Sequence, residues 1–302
     1  MDYHTPVLLR EVLDGLRIEP GKKYIDATLG GGGHTESILQ LGGKVLGIDV
    51  DQDAIDFVSK EIGNWKLEIG NSSEVKLARG NFRDIQEIAK THGFDNVAGI
   101  LFDFGVSSHQ IGSFGRGFSF QTDAPLDMRM DNRLEITARD LIQALNKGEL
   151  QQIFERFGEV SNAGKVASVL VTERKKQQIA TTRQLVLLVG NAYGIEDITK
   201  NKKLQAKLCA PVFQAIRMAV NNELESIEQG LAQALVLIGA QGRIATISFH
   251  SLEDRIVKQA FENWQEHEKG RIITKKPITA SKKELEANKR SRSAKLRVFE
   301  KL

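Results

Sequence analysis

The chain has 302 residues, 41% hydrophobic and 27% charged, with 27 glycines and 5 prolines, a balance that fits one large or two modest globular domains and excludes collagen-like or linker-dominated chains. The net charge of +3 is uneven: residues 269–302 hold 12 lysines and arginines against 3 glutamates, a balance of +9 that leaves −6 elsewhere, so a basic tail points to a polyanionic partner or to a solvated surface. No apolar run approaches a membrane span, residues 1–10 lack the order of a leader, and the lone Cys209 excludes an internal disulfide and any multi-cysteine zinc site; a cytosolic location is expected.

In chain order, residues 23–27 form a short apolar run that ends in a glycine cluster. A helix is predicted over 35–41 and a buried strand over 44–49, with Asp51 or Asp53 placed to cap the next helix. A third strand at 75–78, a helix from Asp84 to about His92 and a fourth strand at 97–103 follow. Near-continuous apolar strands separated by helices predict a parallel sheet covered on both faces. From Phe104 to Arg133 no period is sustained, and 137–194 then reads as helical, with Thr137 and Asp140 at capping-box spacing. A long helical stretch at 203–238 breaks near Asn221 and Asn222. Residues 242–249 give a fifth strand, Ser251 and Asp254 open a helix to about His267, and Val298 with Phe299 forms a last edge strand. The expected architecture is a doubly wound α/β domain of residues 1–105 and 213–302, interrupted by a mainly helical insert at 106–212.

The strongest local signal is Asp26-Ala-Thr-Leu-Gly30-Gly31-Gly32-Gly33-His34. Glycines directly after a first strand let the backbone turn tightly and approach a ligand. Asp49 ends the second strand 19 residues after Gly30, where an acid can accept hydrogen bonds from both hydroxyls of a ribose. A dinucleotide loop would continue with a third glycine, but Thr35 stands there. The acid four residues before the first glycine instead fits the D-x-x-x-G-x-G pattern of S-adenosylmethionine sites. A structural glycine turn is the competing reading.

These residues resemble the MraW/RsmH family of methyltransferases. The likeness runs from His4-Thr-Pro-Val-Leu through the glycine loop to Leu101-Phe-Asp103-Phe-Gly-Val-Ser-Ser108 and Gly117-Phe-Ser-Phe-Gln-Thr-Asp-Ala-Pro-Leu-Asp-Met-Arg-Met-Asp131. It resumes at Phe213-Gln-Ala-Ile-Arg-Met-Ala-Val-Asn-Asn-Glu-Leu224, then Ser248-Phe-His-Ser-Leu-Glu-Asp-Arg-Ile-Val-Lys258 and Arg290-Ser-Arg-Ser-Ala-Lys-Leu-Arg297. Phe104, Ala124 and the segment Leu208-Cys-Ala-Pro-Val212 depart from the family pattern. The resemblance implies a class I, Rossmann-like methyltransferase sheet with an inserted substrate-recognition domain. It implies transfer of a methyl group from S-adenosylmethionine to the exocyclic N4 of a cytidine in 16S ribosomal RNA, at the decoding centre. The family's cofactor site maps to Gly32, Gly33, His34, Asp49, Phe82, Asp103 and Gln110.

An exocyclic cytosine amine can attack a sulfonium methyl directly, so no nucleophilic cysteine is needed, and Cys209 reads as a small structural residue. Asp103 would accept a hydrogen bond from the amine or from the cofactor. Phe104 would stack on an extruded base or fill the core. Ser251 is expected to cap a helix, and His250 to line the pocket. Arg116, Arg129, Arg290, Arg292 and Lys295 are candidate RNA contacts, with Phe114, Phe118, Phe120 and Arg133 interleaved on the same loop as Arg116. The competing reading is a loop folded on its own domain, and a tail that packs its last strand. The insert is expected to wall the substrate entrance. No metal and no membrane contact are expected, 16S rRNA within the small subunit or its precursor is the expected partner, and a homodimer is left open. A nicotinamide-dependent oxidoreductase and a non-catalytic ribosome-assembly factor are the alternatives.

Overall fold

The computed structural model describes residues 6–69, 74–106 and 115–302, without the side chains of 66–69. The chain divides into two compact units, 1–107 with 224–302 and 108–223.

The first unit is a seven-stranded sheet of order β3-β2-β1-β4-β5-β7-β6. Its strands are β1 (Lys23–Asp26), β2 (Lys44–Asp49), β3 (Val75–Arg79), β4 (Val97–Asp103), β5 (Ile238–Ser248), β6 (Gly270–Ile272) and β7 (Lys295–Lys301). β1 to β5 are parallel, while β7 runs antiparallel to both β5 and β6. Helices α1 (Leu9–Leu16), α2 (Gly33–Gln40), α3 (Gln52–Ile69) and α4 (Ile85–Thr91) belong to its first half. The unbroken burial of Val45 to Ile48 in β2 and of Gly99 to Phe102 in β4 follows from helices on both faces. One face packs Ile25, Phe102, Phe104 and Ile244. The other packs Tyr24, Leu101, Ala245 and Ile247 with the first helix. The all-parallel order 3-2-1-4-5-6 belongs to dinucleotide-binding sheets, and the antiparallel β7 departs from it.

The second unit is helical: α5 (Ala138–Ala144), α6 (Lys147–Gly158), α7 (Ala163–Glu173), α8 (Thr182–Ala192) and α9 (Lys202–Asn221). Capping boxes start three of them, at Thr137 with Asp140, Asn146 with Glu149 and Thr181 with Gln184. Its core gathers Phe154, Leu170, Leu185, Cys209, Phe213 and Ile216. Burial pushes the Cys209 thiol up to about 12, so it is not a nucleophile at neutral pH.

Two expectations are corrected. The return from insert to sheet lies at 223/224 rather than 212/213, because α9 continues through Pro211 and buries Phe213, Ala215 and Ile216 in the helical core. Val298 and Phe299 belong to an interior strand, since β6 pairs outside β7 and is itself the edge. The basic tail is folded: Leu296, Val298 and Phe299 are buried in the sheet. Its buried Glu300 is ringed by Arg243, Arg271 and Arg17. The predicted break at Asn221 and Asn222 is present, with Asn222 left-handed at φ 49° as the C-cap of α9. Helix α10 (Glu223–Leu237) follows and feeds β5 directly. Among the described residues no helix is long and apolar enough to cross a membrane. Among them, too, no group of three or more His, Cys, Asp or Glu is placed to hold a metal ion.

Candidate functional site

β2, β1 and β4 are neighbours, so their carboxyl ends bring Asp49, Asp26 and Asp103 to one edge of the sheet. Ligands of such sheets bind in the crevice outside this edge. The glycine loop is seated there by Leu29, whose N–H donates to Ile48 O at 2.8 Å and whose side chain fills the space beside Gly47. Gly32 then turns left-handed at φ 78° and starts α2. A Cβ on Gly32 would stand 2.7 Å from the Trp65 ring, so only glycine lets the loop lie this close to α3. The first amides of a helix have no intrahelical acceptor, which leaves the Gly33 and His34 N–H groups for a ligand.

Asp49 does two things. Its Oδ2 accepts from Gly30 N at 2.8 Å and its Oδ1 from Asp51 N at 2.9 Å. Each oxygen keeps lone pairs for a ribose hydroxyl. Burial pushes its carboxyl up to about 6, against the pull of those two amides. Asp26 is 1% exposed; it accepts from Thr35 Oγ1 at 2.7 Å and is raised by burial. Asp103 N donates to Thr28 Oγ1 at 2.6 Å, while its Oδ1 is buried without a hydrogen-bond partner among the described residues. Burial, then the charges of Asp26 and Glu253, hold Asp103 well above the usual carboxylate range. Unpartnered buried carboxylate oxygens are costly, so this atom calls for a donor from a ligand.

Three acids crowded at one edge favour a cationic ligand. S-adenosylmethionine carries a sulfonium and an ammonium group and fits. A dinucleotide would bring a pyrophosphate into the same negative field. The Gly33 and His34 amides, Asp49 and Asp103 are the groups that would hold it.

Other expected site residues are placed differently. His34 turns its ring away, with Nε2 3.1 Å from Val7 O. Burial lowers its pKa despite nearby Asp26, so the ring is neutral and Nε2–H donates to that carbonyl; only its backbone faces the loop side. Phe82 opens a single turn after β3 and is half-buried, with its ring 5.7 Å from that of Phe102 and 5.9 Å from that of Phe104. Phe104 is a correction: it is 3% exposed, stacks on Phe102 at 5.6 Å and packs in the sheet core, so its ring serves the core rather than a base. Gln110 and Phe114 lie outside the described residues.

The loop arginines are held by their own loop. Arg116 clasps its own loop, donating to Arg129 O at 2.9 Å and Met130 O at 2.7 Å. Arg129 is bidentate to Asp127, at 2.8 Å twice, and donates to Leu134 O at 2.6 Å. Arg133 pairs with Asp131 at 2.7 Å. Phe118 and Phe120 pack on the helical core. Asn221, a motif residue, staples the same loop: it donates to Met128 O at 2.8 Å and accepts from Met130 N at 2.7 Å. Lys295 is 3.2 Å from Asp254, beside Arg297 at 2.7 Å, and so pins β7 to α11 (Ser251–Glu266). Arg290 and Arg292 remain on the exposed surface. His250, not Ser251, caps α11, in a capping box with Glu253. Glu253 is the group the sequence reading missed. It is 1% exposed, accepts from Phe249 N at 2.7 Å and acts on Asp103 through its charge. Its signal was its place three residues after His250 at a strand-to-helix turn.

The raised carboxyl of Asp49 sets a pH dependence. The ionised form is the one that accepts two hydroxyl hydrogen bonds. Cofactor affinity is therefore expected to fall below about pH 6, by about tenfold per pH unit at the limit. Stability moves the other way: the folded state holds this proton more tightly than the unfolded chain, so the Asp49 contribution declines as pH rises from about 4 to about 6. Calorimetric titrations between pH 5 and pH 8 check this, with Asp49→Asn as the control that loses the dependence. An affinity independent of pH over that range would refute it.

The sequence matches the model of the MraW methylase family over residues 1–302. A relative from Brevibacillus brevis named ribosomal RNA small subunit methyltransferase H is 40% identical over 321 residues, covering 99% of this chain and 98% of that protein. One of the same name from Trichlorobacter lovleyi is 41% identical over 321 residues, again covering 99% and 98%. A solved structure from Clostridium thermocellum, titled a putative rRNA-methylase, aligns with a TM-score of 0.45 at 13% identity, covering 99% of this chain and 100% of that one, too distant to bear on function. With the match spanning the whole chain, and the glycine loop, Asp49 and Asp103 assembled at one sheet edge, the chain belongs to the MraW methylase family.

Proposed function

We propose that this protein methylates the exocyclic N4 of a cytidine in 16S ribosomal RNA, at the decoding centre, as an S-adenosylmethionine-dependent enzyme of the cytosol. The observation that carries the reading is the buried Asp103 Oδ1 at the end of β4, without a partner among the described residues, beside the glycine loop and Asp49. When bound, S-adenosylmethionine supplies an electrophilic methyl group on a sulfonium. The Gly33 and His34 amides and Asp49 would hold it, so that the amine and the methyl carbon would meet as positioned groups. Asp103 Oδ1 would accept a hydrogen bond from the N4 amine and would take the proton released as the carbon–nitrogen bond forms and the carbon–sulfur bond breaks, the neutral thioether S-adenosylhomocysteine being the leaving group. Its raised proton affinity suits that task better than an ordinary carboxylate would. The base must leave its stack to reach this edge. Methyl incorporation into small-subunit particles lacking the mark tests the reading, and a folded protein that binds S-adenosylmethionine but transfers no methyl would point to the assembly-factor alternative.

RNA contact is assigned to the exposed part of the basic C-terminal segment, which includes Lys282, Lys283, Arg290 and Arg292. The helical unit is assigned to substrate recognition. Reversing Arg290 and Arg292 to glutamate, with Lys295 left in place, is expected to weaken RNA binding. It should also flatten the slope of log K against log salt by about 0.7–0.9 per lost phosphate contact. Cofactor affinity should not change. Unaltered RNA affinity and salt slope with normal melting would remove this segment from the interface.

A further inference from the structure

Two contacts tie the segment just ahead of α1 to the cofactor loop, and a third ties it to the basic C-terminal segment. Pro6 lies across Gly33, where a Cβ would stand 3.0 Å from Pro6 Cδ. The Val7 carbonyl lies 3.1 Å from His34 Nε2. Leu8 N–H donates to Glu284 Oε1 at 2.7 Å, across 276 residues of sequence. Leu8 is left-handed, at φ 51° and ψ 35°, a conformation that residues other than glycine rarely adopt. Its side chain is fully buried, at 0% exposure. The strap is therefore fixed by burial on one side and by one carboxylate on the other. That carboxylate sits on α12 (Lys282–Ala287), a short helix capped by Ser281 within the basic segment.

We propose that Glu284 is a positioning residue for cofactor binding: it latches the strap at residues 6–8, and the strap holds the Gly33 and His34 amides in the orientation a ligand meets. The inference rests on the reading that the glycine loop receives S-adenosylmethionine. Its physical basis is the double anchorage of the loop. Pro6 fills the space beside Gly33, and the neutral His34 ring is committed to the Val7 carbonyl. A strap that shifts carries both residues with it. Without Glu284, the Leu8 N–H loses a charged acceptor, and an unfavourable backbone conformation loses what over-determines it.

The test uses the full chain well below its melting temperature. S-adenosylmethionine affinity is measured by calorimetry, and KM and kcat by methyl transfer to unmethylated small-subunit particles. Glu284→Ala is expected to raise Kd and KM for S-adenosylmethionine roughly three- to tenfold, as the loss of one charge-assisted hydrogen bond felt at second remove, with kcat within about twofold. Glu284→Gln keeps a carbonyl oxygen for Leu8 N–H and should restore both constants to near wild type. Unchanged Kd and KM in Glu284→Ala would overturn the latch, as would a Gln variant as impaired as the Ala variant, or a fall in kcat and melting temperature with KM unmoved. A wild-type protein that binds no S-adenosylmethionine would overturn the cofactor reading and the latch with it. Normal wild-type binding with an indifferent Glu284→Ala overturns the latch alone.

Discussion

Asp103→Ala is expected to lower kcat for methyl transfer by roughly a hundred- to ten-thousand-fold, the range seen when a positioned proton acceptor is removed. The side chain ends β4 with one carboxylate oxygen buried and, among the described residues, without a partner, so no described protein contact is lost by its removal there. Burial and the charges of Asp26 and Glu253 already oppose its ionisation, and the apo protein should fold at least as well without it. That separates a catalytic loss from a structural one. If Asp103 serves the amine, affinity for S-adenosylmethionine stays near wild type while turnover collapses. If it serves the cofactor ammonium, both fall together. Asp103→Asn refines the outcome, because it keeps an acceptor oxygen but cannot take the proton. A folded Asp103→Ala variant with near-normal kcat would remove this residue from the site.

Asp49→Ala should weaken S-adenosylmethionine binding by two orders of magnitude or more. Two hydrogen bonds from ribose to a charged acceptor are lost, each worth about 1.5–3 kcal/mol, and about 1.4 kcal/mol corresponds to tenfold in Kd. The same substitution strips Gly30 N and Asp51 N of their acceptor, which loosens the turn that seats the loop. Asp49→Asn is the cleaner probe. It keeps the shape and one acceptor oxygen but removes a charge that burial disfavours. Its NH2 group faces one of the two backbone amides, Gly30 N or Asp51 N, and that lost acceptor offsets the relieved charge, so at pH 7 the apo Asp49→Asn protein should melt near wild type while binding the cofactor more weakly. Thermal melts with and without saturating S-adenosylmethionine check both outcomes. Unchanged cofactor affinity in either folded variant would sink the assignment.

Much of the cofactor edge was legible in the sequence because it depends on local order. A glycine cluster after an apolar run fixes a tight loop at a strand end, and Asp49 at the end of the next run must share that edge once two strands lie parallel. The capping residues Thr137 and Asp140 are legible for the same reason, since their partners lie within one turn of helix. What a side chain faces across the fold is a different matter. Phe104 follows Asp103 directly, yet only the packing of Phe82 and Phe102 around it decides that it is core. Arg116 and Arg129 look like phosphate ligands until the loop closes on itself and supplies Asp127 and three backbone carbonyls. The basic tail resembles a free arm in composition. Its alternate apolar residues gain their meaning only when β7 inserts antiparallel between β5 and β6. Glu253 and Glu284 were the least visible. Burial beside Asp103, and a hydrogen bond reaching back to Leu8, arise from neighbours far away in sequence. Local spacing sets turns, caps and strand ends, whereas burial and long-range pairing set the charge state and partner of each carboxylate, and those only the tertiary structure decides.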